Sequence, residues 1–337
     1  MTTAPRDQLQ RPLRDLRVSV TDRCNFRCTY CMPREVFGRD FAFLPRAEVL
    51  SFEEIARLAR IFVKLGVEKI RLTGGEPLLR RDLHELVAML APIPGLRDLT
   101  LTTNGSLLVQ HAAPLRAAGL QRLTVSLDSL DETIFAAMND VDFPVARVLQ
   151  GIDAALDAGF APIKINMVVQ RGVNEHEIGT MVRRFRGPAY NLRFIEYMDV
   201  GNTNGWRREQ VVSVEEIISR AGSELELQPL PARYPGEVAR RFRDVATGGE
   251  LGVIGSVTQP FCGDCTRARL SAEGHLYMCL FATGGHDLKS PLRNGLSDAD
   301  LAATVRQLWG ARADRYSELR SAASAREPKV EMAHIGG

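Results

Sequence analysis

The chain has 337 residues, 45% of them hydrophobic and 25% charged, the balance of a soluble globular protein with one large or two ordinary domains. A formal net charge of +2 gives no global drive toward nucleic acid or a membrane surface, so any anion binding has to be local. No apolar run reaches the length of a membrane span, and the opening residues lack the apolar stretch of a secretory leader, so a cytoplasmic location is expected.

After an irregular opening, alternation predicts a strand over 16–21, with Leu16, Val18 and Val20 on one face and Arg17, Ser19 and Thr21 on the other. The loop that follows carries Cys24, Cys28 and Cys31. In a cytosolic chain such cysteines read as metal ligands rather than disulfides. A structural zinc wants four protein ligands, and a cubane iron–sulfur cluster normally does too. Three thiolates therefore leave one metal position free for something other than protein. A helix is expected from Phe52, because Ser51 and Glu54 form a capping-box signature and Ile55, Leu58, Ala59 and Phe62 keep helical spacing up to Gly66.

Further strands are expected at 69–73, 97–104, 122–128, 162–169 and 191–198, with helices at 83–90, 107–118, 145–158 and 175–185. Six β/α units in a row imply a parallel sheet. Each strand has one apolar and one polar face: Ile70 and Leu72 oppose Lys69, Arg71 and Thr73, and Leu123, Val125 and Leu127 oppose Thr124, Ser126 and Asp128. A doubly wound sheet would be apolar on both faces, and a full (β/α)8 barrel would fill its interior with branched apolar side chains. The pattern instead fits an α/β fold, a partial (β/α)6 TIM-type barrel with a polar lumen, or a one-sided sheet with a solvated face. Arg and Lys amid Thr and Ser on successive strands favour a pocket for a polyanion. The sixth strand is irregular, because Arg193 and Met198 cannot both face inward on a flat strand.

Two motifs remain. Thr73-Gly74-Gly75-Glu76-Pro77 closes the second strand, and its Gly-Gly step permits close backbone approach to a ligand. Downstream, Cys262 and Cys265 are followed by Cys279, again three thiolates. His275 or His286 can complete a Cys3His zinc site, whereas the parallel with the first triplet favours a second cluster with an open iron. Arg267 and Arg269 lie two apart beside Cys265, so in an extended segment they point the same way, toward an anionic partner.

The CxxxCxxC loop followed by Gly-Gly-Glu-Pro resembles the radical S-adenosylmethionine (SAM) superfamily. The longer stretches Leu-Arg-Val-Ser-Val-Thr-Asp-Arg-Cys-Asn-Phe-Arg-Cys-Thr-Tyr-Cys-Met-Pro and Phe-Cys-Gly-Asp-Cys-Thr-Arg-Ala-Arg-Leu, with the terminal Gly336-Gly337, resemble the GTP 3′,8-cyclase family of molybdenum cofactor biosynthesis from about residue 12 to the C-terminus. The resemblance implies a [4Fe–4S] cluster on Cys24, Cys28 and Cys31 that binds SAM, and a second on Cys262, Cys265 and Cys279 whose open iron takes the guanine. It implies SAM contacts from Tyr30, Gly75, Ser126 and Met198. Read bare, Ser126 is a lumen hydroxyl and Met198 a core filler. It assigns GTP, chiefly its triphosphate, to Arg17, Lys69, Arg71, Thr102, Lys164, Arg193, Arg267 and Arg269, and a catalytic part to Arg17, Gly336 and Gly337. In the reaction so implied, a 5′-deoxyadenosyl radical takes the ribose C3′ hydrogen of GTP, and C3′ then attacks guanine C8. Further implied partners are an electron donor such as flavodoxin or ferredoxin and, by product hand-over, cyclic pyranopterin monophosphate synthase; a homodimer is compatible. No nucleic acid and no membrane are expected. The alternatives are a radical SAM peptide maturase with an auxiliary cluster and a zinc-stabilised, non-enzymatic binding protein.

The division expected is a barrel over 1–205 and a C-terminal region over 206–337 that carries the second cysteine triplet. Asn202-Thr203-Asn204-Gly205 is a turn-rich boundary, and Thr203 stands where the family often shows Asp. Ser213 with Glu216 opens another helix, and one more is expected over 297–312. The stretch 224–260, rich in Pro, Gly and Arg, is expected to wrap across the open side of the barrel with little periodicity. The tail from Lys329 shows no packing pattern of its own.

Overall fold

The computed structural model describes residues 4–234, 236–321 and 327–336. Six parallel strands come first: β1 (Asp15–Ser19), β2 (Lys69–Thr73), β3 (Asp98–Thr103), β4 (Arg122–Ser126), β5 (Ile163–Val169) and β6 (Tyr190–Glu196). Helices α1 (Phe52–Lys64), α2 (Leu83–Leu90), α3 (Leu108–Ala117), α4 (Glu132–Asn139), α5 (Val145–Asp157) and α6 (Ile178–Arg184) form the crossovers. In α1 the capping box is complete: Glu54 N donates to Ser51 Oγ at 3.1 Å, and Ser51 N donates to Glu54 Oε2 at 2.7 Å. Helix α4 carries no strong apolar period and is announced only by Asp131, whose carboxylate accepts from Thr133 N and Ile134 N.

The apolar strand faces and the inner faces of these helices make one core, in which Leu16, Val18, Ile70, Leu72, Leu101, Leu123, Ile165 and Phe62 are fully buried. The polar faces turn the other way. Arg17, Arg71, Thr102, Thr124, Ser126, Lys164 and Asn166 border a cavity of about 510 Å³. This is a partial barrel with a polar lumen, as the two-faced strands imply.

The C-terminal third extends the sheet at both edges. After α7 (Val214–Gly222), strands β7 (Leu227–Leu230), β8 (Ala239–Asp244) and β9 (Glu250–Ile254) follow, with β9 parallel to β6. On the other edge β10 (Arg267–Leu270) runs parallel to β1, followed by the antiparallel β11 (His275–Tyr277) and β12 (His286–Asp287). Among the described residues the strand order is β12-β11-β10-β1-β2-β3-β4-β5-β6-β9-β8-β7. The segment 224–260 therefore differs from the expectation: it contains three strands that join the sheet. Its Arg side chains find acidic partners, with Arg241 and Arg233 sharing Glu250, and such pairs hide the alternation that hydrophobicity alone would reveal. Helices α8 (Lys289–Arg293), α9 (Asp298–Gly310), α10 (Tyr316–Leu319) and α11 (Met332–Ile335) close the chain. The tail also departs from expectation, since Ala333 and Ile335 are buried. No described helix is long and apolar enough to cross a membrane.

Phe62 sits wholly inside the core, so Phe62→Ala should cost about 3–5 kcal/mol by loss of buried area and creation of a cavity. A fall in the denaturant midpoint followed by far-UV circular dichroism would report it.

Candidate active site

The cysteine loop leaves the end of β1 and is held from below by the Gly-Gly turn after β2. Gly75 N donates to Thr21 O at 3.0 Å, and Glu76 N donates to Arg23 O at 2.8 Å. A Cβ on Gly75 would collide with the Arg23 carbonyl, so the close approach of these two loops requires glycine there. Glu76 is 1% exposed and accepts from Thr103 Oγ1, Asn104 N and Leu78 N, which ties the turn to the end of β3.

Cys24, Cys28 and Cys31 all border the cavity. Burial pushes the Cys28 thiol well up, and the neighbouring Cys24 and Cys31 push it further. Burial likewise raises Cys24, to about 12. Thiolates so placed need a strongly cationic partner, and an iron–sulfur cluster supplies one. Tyr30 and Gly75 stand at the same end of the cavity. The Tyr30 hydroxyl donates to Asp128 Oδ2 at 2.7 Å, while Val168 N donates to Asp128 Oδ1 at 2.8 Å. Ser126, on β4, and Met198 also line the space. The difficulty over Arg193 and Met198 resolves simply: β6 ends at Glu196, so Met198 lies beyond the strand and both side chains reach the cavity.

Cys262, Cys265 and Cys279 border the same cavity. Burial pushes the Cys265 thiol up, but the Arg267 and Arg312 guanidiniums more than reverse this and bring it down to about 6. His275 and His286 lie apart from the cavity lining, with His275 beside Glu273 at 3.1 Å and His286 exposed on β12. The donors that share the cavity are thus the three thiolates without a histidine.

Register sets the basic groups side by side. Arg17 on β1 stands opposite Arg71 on β2 and Arg269 on β10, a row of three arginines across adjacent strands. Asp15 stands opposite Lys69 and Arg267. Like charges directly opposed in a sheet are destabilising, so the row implies an anion that the protein itself does not provide. Burial, then Arg269, Arg71 and Arg267, hold the Arg17 guanidinium well below its usual range. Arg71 donates to Thr102 Oγ1 at 2.8 Å and Thr124 Oγ1 at 3.0 Å, a use of Thr102 as support for Arg71. Lys69 pairs with Asp15 at 2.9 Å, and Arg193 lies 3.7 Å from Glu237. Burial, then Arg193, Arg122, Arg71 and Lys69, push the Lys164 amine down to about 5. Arg17 Nε, Arg71 Nε, Ser19 Oγ and Thr73 Oγ1 are buried without a hydrogen-bond partner among the described residues.

Two of the basic residues have additional work. Arg267 Nη2 donates to Cys265 Sγ at 3.3 Å, and Arg269 Nη1 donates to the Gly336 carbonyl at 3.0 Å. The tail thus reaches the lumen. Gly336 adopts φ +74°, and a Cβ there would strike Thr73 Oγ1 and Ser19 Oγ. Gly337 lies outside the described residues. Upstream, the tail is pinned to the loop after β6: Asn202 N donates to Glu331 Oε1 at 2.9 Å, Thr203 Oγ1 donates to Glu331 Oε2 at 3.1 Å, and Lys329 N donates to Asn202 Oδ1 at 2.8 Å. Thr203, where the family often has Asp, therefore acts as a donor to a carboxylate. Glu331 and Arg312 carry no local signature, since neither falls in a motif or on a periodic face.

A one-sided partial barrel with a cysteine loop after its first strand and a Gly-Gly turn after its second defines a radical SAM enzyme scaffold. Residues 18–185 match the Radical SAM superfamily model, and residues 190–318 match that of Molybdenum Cofactor Synthesis C. The structure of Streptococcus suis SuiB bound to S-adenosylmethionine shares this fold at a TM-score of 0.62 and 14% identity, over 92% of this chain and 68% of that one. Much nearer in sequence are the GTP 3′,8-cyclases of Acidothermus cellulolyticus, 55% identical over 100% of both chains, and of Xanthomonas axonopodis pv. citri, 52% identical over 100% of both. That of Staphylococcus carnosus is 50% identical over 98% of each. The chain belongs to the GTP 3′,8-cyclase family.

The Lys164 pKa gives a pH prediction. In the fold the amine is pushed down to about 5, below the ordinary lysine value of 10.5, so the unfolded chain binds more protons at Lys164 between those limits. That contribution makes the ligand-free protein gain stability as pH rises through the window. Lys164→Met should flatten the rise, read from unfolding midpoints at pH 6 and pH 9, both chosen inside a window about 5 pH units wide.

Proposed function

We propose that this chain is a radical SAM GTP 3′,8-cyclase, which joins C3′ to C8 of GTP to give 3′,8-cyclo-7,8-dihydro-GTP in the first step of molybdenum cofactor biosynthesis. The observation that carries the reading is a single cavity bordered by both cysteine triplets and by Arg17, Lys69, Arg71, Lys164, Arg193, Arg267 and Arg269. Cys24, Cys28 and Cys31 hold one [4Fe–4S] cluster, and Cys262, Cys265 and Cys279 the other. When bound, the first cluster and SAM supply a 5′-deoxyadenosyl radical, the agent that removes the ribose C3′ hydrogen.

The remaining work falls to the side chains. Tyr30, Gly75, Ser126 and Met198 bound the SAM end of the cavity. A triphosphate carries about four negative charges near neutral pH, and the arginine row on β10, β1 and β2 meets that demand with planar, bidentate donors. Burial and the surrounding cations favour the neutral form of Lys164, and the phosphates of a nucleotide favour its charged form, so binding draws a proton onto it. Arg17, between Arg71 and Arg269, orients the ribose–phosphate part of the nucleotide, which is the entropic share of the catalysis. Gly336, whose carbonyl accepts from Arg269, narrows the lumen and excludes water from it, and Gly337 shares its catalytic part. Residues 1–205 form the SAM-binding barrel in this reading, and residues 206–337 bring the second cluster and the tail. An electron donor of flavodoxin or ferredoxin type and hand-over to cyclic pyranopterin monophosphate synthase complete it.

Anaerobic, dithionite-reduced protein given SAM and GTP should form 5′-deoxyadenosine together with a cyclised nucleotide. SAM cleavage that GTP fails to stimulate would contradict the assignment. Arg71→Met should raise the KM for GTP by about 10- to 150-fold, the loss of one or two charged hydrogen bonds, with iron content unchanged. Deleting Gly336 and Gly337 should abolish cyclisation and leave both clusters in place, as judged by iron analysis.

A further inference from the structure

The second cysteine triplet is backed by a buried charge network that begins at the other end of the chain. Asp7, whose side chain is fully buried, accepts from Arg11 Nε at 2.6 Å and from Arg312 Nη1 at 3.1 Å. It also accepts from the Leu9 and Arg11 amides, so its position is fixed by its own turn. Arg11 then donates to the Cys262 carbonyl at 2.7 Å. Arg312 donates to the Cys265 carbonyl at 2.8 Å and, through Nη2, to Cys265 Sγ at 3.3 Å. Trp309, itself fully buried, lies under the Arg312 guanidinium at 4.6 Å and donates its indole N–H to the Arg11 carbonyl at 3.0 Å.

The charge count shows what this network lacks. Two guanidiniums, each no more than 2% exposed, share one fully buried carboxylate. Asp314 is 39% exposed and stands 3.6 Å from Arg312 Nε, too distant and too wet to balance the second cation by itself. The Cys265 sulfur, at hydrogen-bond distance, is the remaining anion. Arg267 donates to the same sulfur and, like Arg312, borders the cavity, but its other close neighbour is the Phe261 ring at 4.9 Å. Arg312 differs in being locked on three sides, by Asp7, by the Cys265 carbonyl and by Trp309.

We propose that Arg312, held by Asp7 and backed by Arg11, is a positioning residue for the second cluster: its permanent hydrogen bond to Cys265 Sγ draws charge from that thiolate and raises the cluster's reduction potential. The proposal rests on the assignment of Cys262, Cys265 and Cys279 as cluster ligands. Hydrogen bonds to ligand sulfurs are among the factors that set iron–sulfur potentials, and a charged donor stabilises the more negative, reduced form. The same withdrawal leaves the open iron a stronger electron-pair acceptor toward a purine nitrogen or oxygen. Arg267 is then free to turn to the nucleotide phosphates without stripping the sulfur of its donor.

The test uses full-length, reconstituted protein carrying Cys24→Ala, Cys28→Ala and Cys31→Ala, so that only the second cluster is present. Its midpoint is read by electron paramagnetic resonance during a titration with dithionite. Arg312→Met should retain iron and shift the midpoint to more negative potential. Should Arg312→Met fail to hold iron, Arg312→Lys, which keeps the charge but not the forked donor, should give a smaller shift in the same direction. An unshifted midpoint in whichever variant holds iron would overturn the proposal and leave the cluster assignment standing. A parent protein that binds no iron would overturn the assignment itself, and the proposal with it.

Discussion

Everything in this molecule is arranged around a concentration of buried positive charge that the protein does not neutralise. Arg269, Arg17 and Arg71 face one another across three adjacent strands, with Lys164 and Arg193 further round the barrel. The nearest compensating acids are few. Asp15 is claimed by Lys69, with burial working against its carboxylate and Lys69, Arg17 and Arg71 still drawing it down to about 2. Such an arrangement opposes folding, and it persists because the apolar faces of the same strands are buried against helices in a core that includes Leu16, Val18, Ile70 and Leu72. The barrel spends core stability on holding a site ready for a polyanion.

The cysteine triplets impose a second demand of opposite sign. Each gathers thiolates in a place where water cannot stabilise them, and the two are served differently. Cys24, Cys28 and Cys31 have little help from neighbouring cations, and their thiols are pushed up. Cys265 has two guanidiniums at its sulfur and is brought down. The two sets of thiols thus sit in opposite electrostatic surroundings, one without nearby guanidiniums at sulfur and one with two.

Much of this was legible in the residue order. The two-faced strands announced a polar lumen, because side-chain direction alternates without regard to tertiary context. The same alternation put Arg17, Lys69, Arg71 and Lys164 on the cavity side. Short motifs located both thiolate sets, since chelation needs close spacing. What escaped had no local signature. Strands β7 to β9 are masked by arginines such as Arg241, which pairs with Glu250, and the tail owes its order to contacts such as Glu331 with Asn202. Asp7, Arg11 and Arg312 are joined across some three hundred residues of sequence, and only the fold brings them together.

The central claim is that the lumen's uncompensated cations bind the phosphates of a nucleotide. Calorimetric titration of the holoprotein with GTP, GDP, GMP and guanosine tests it most directly. The account predicts that affinity falls at each step as phosphates are removed, and that added salt weakens GTP far more than guanosine. Guanosine binding as tightly as GTP, with no dependence on salt, would contradict it.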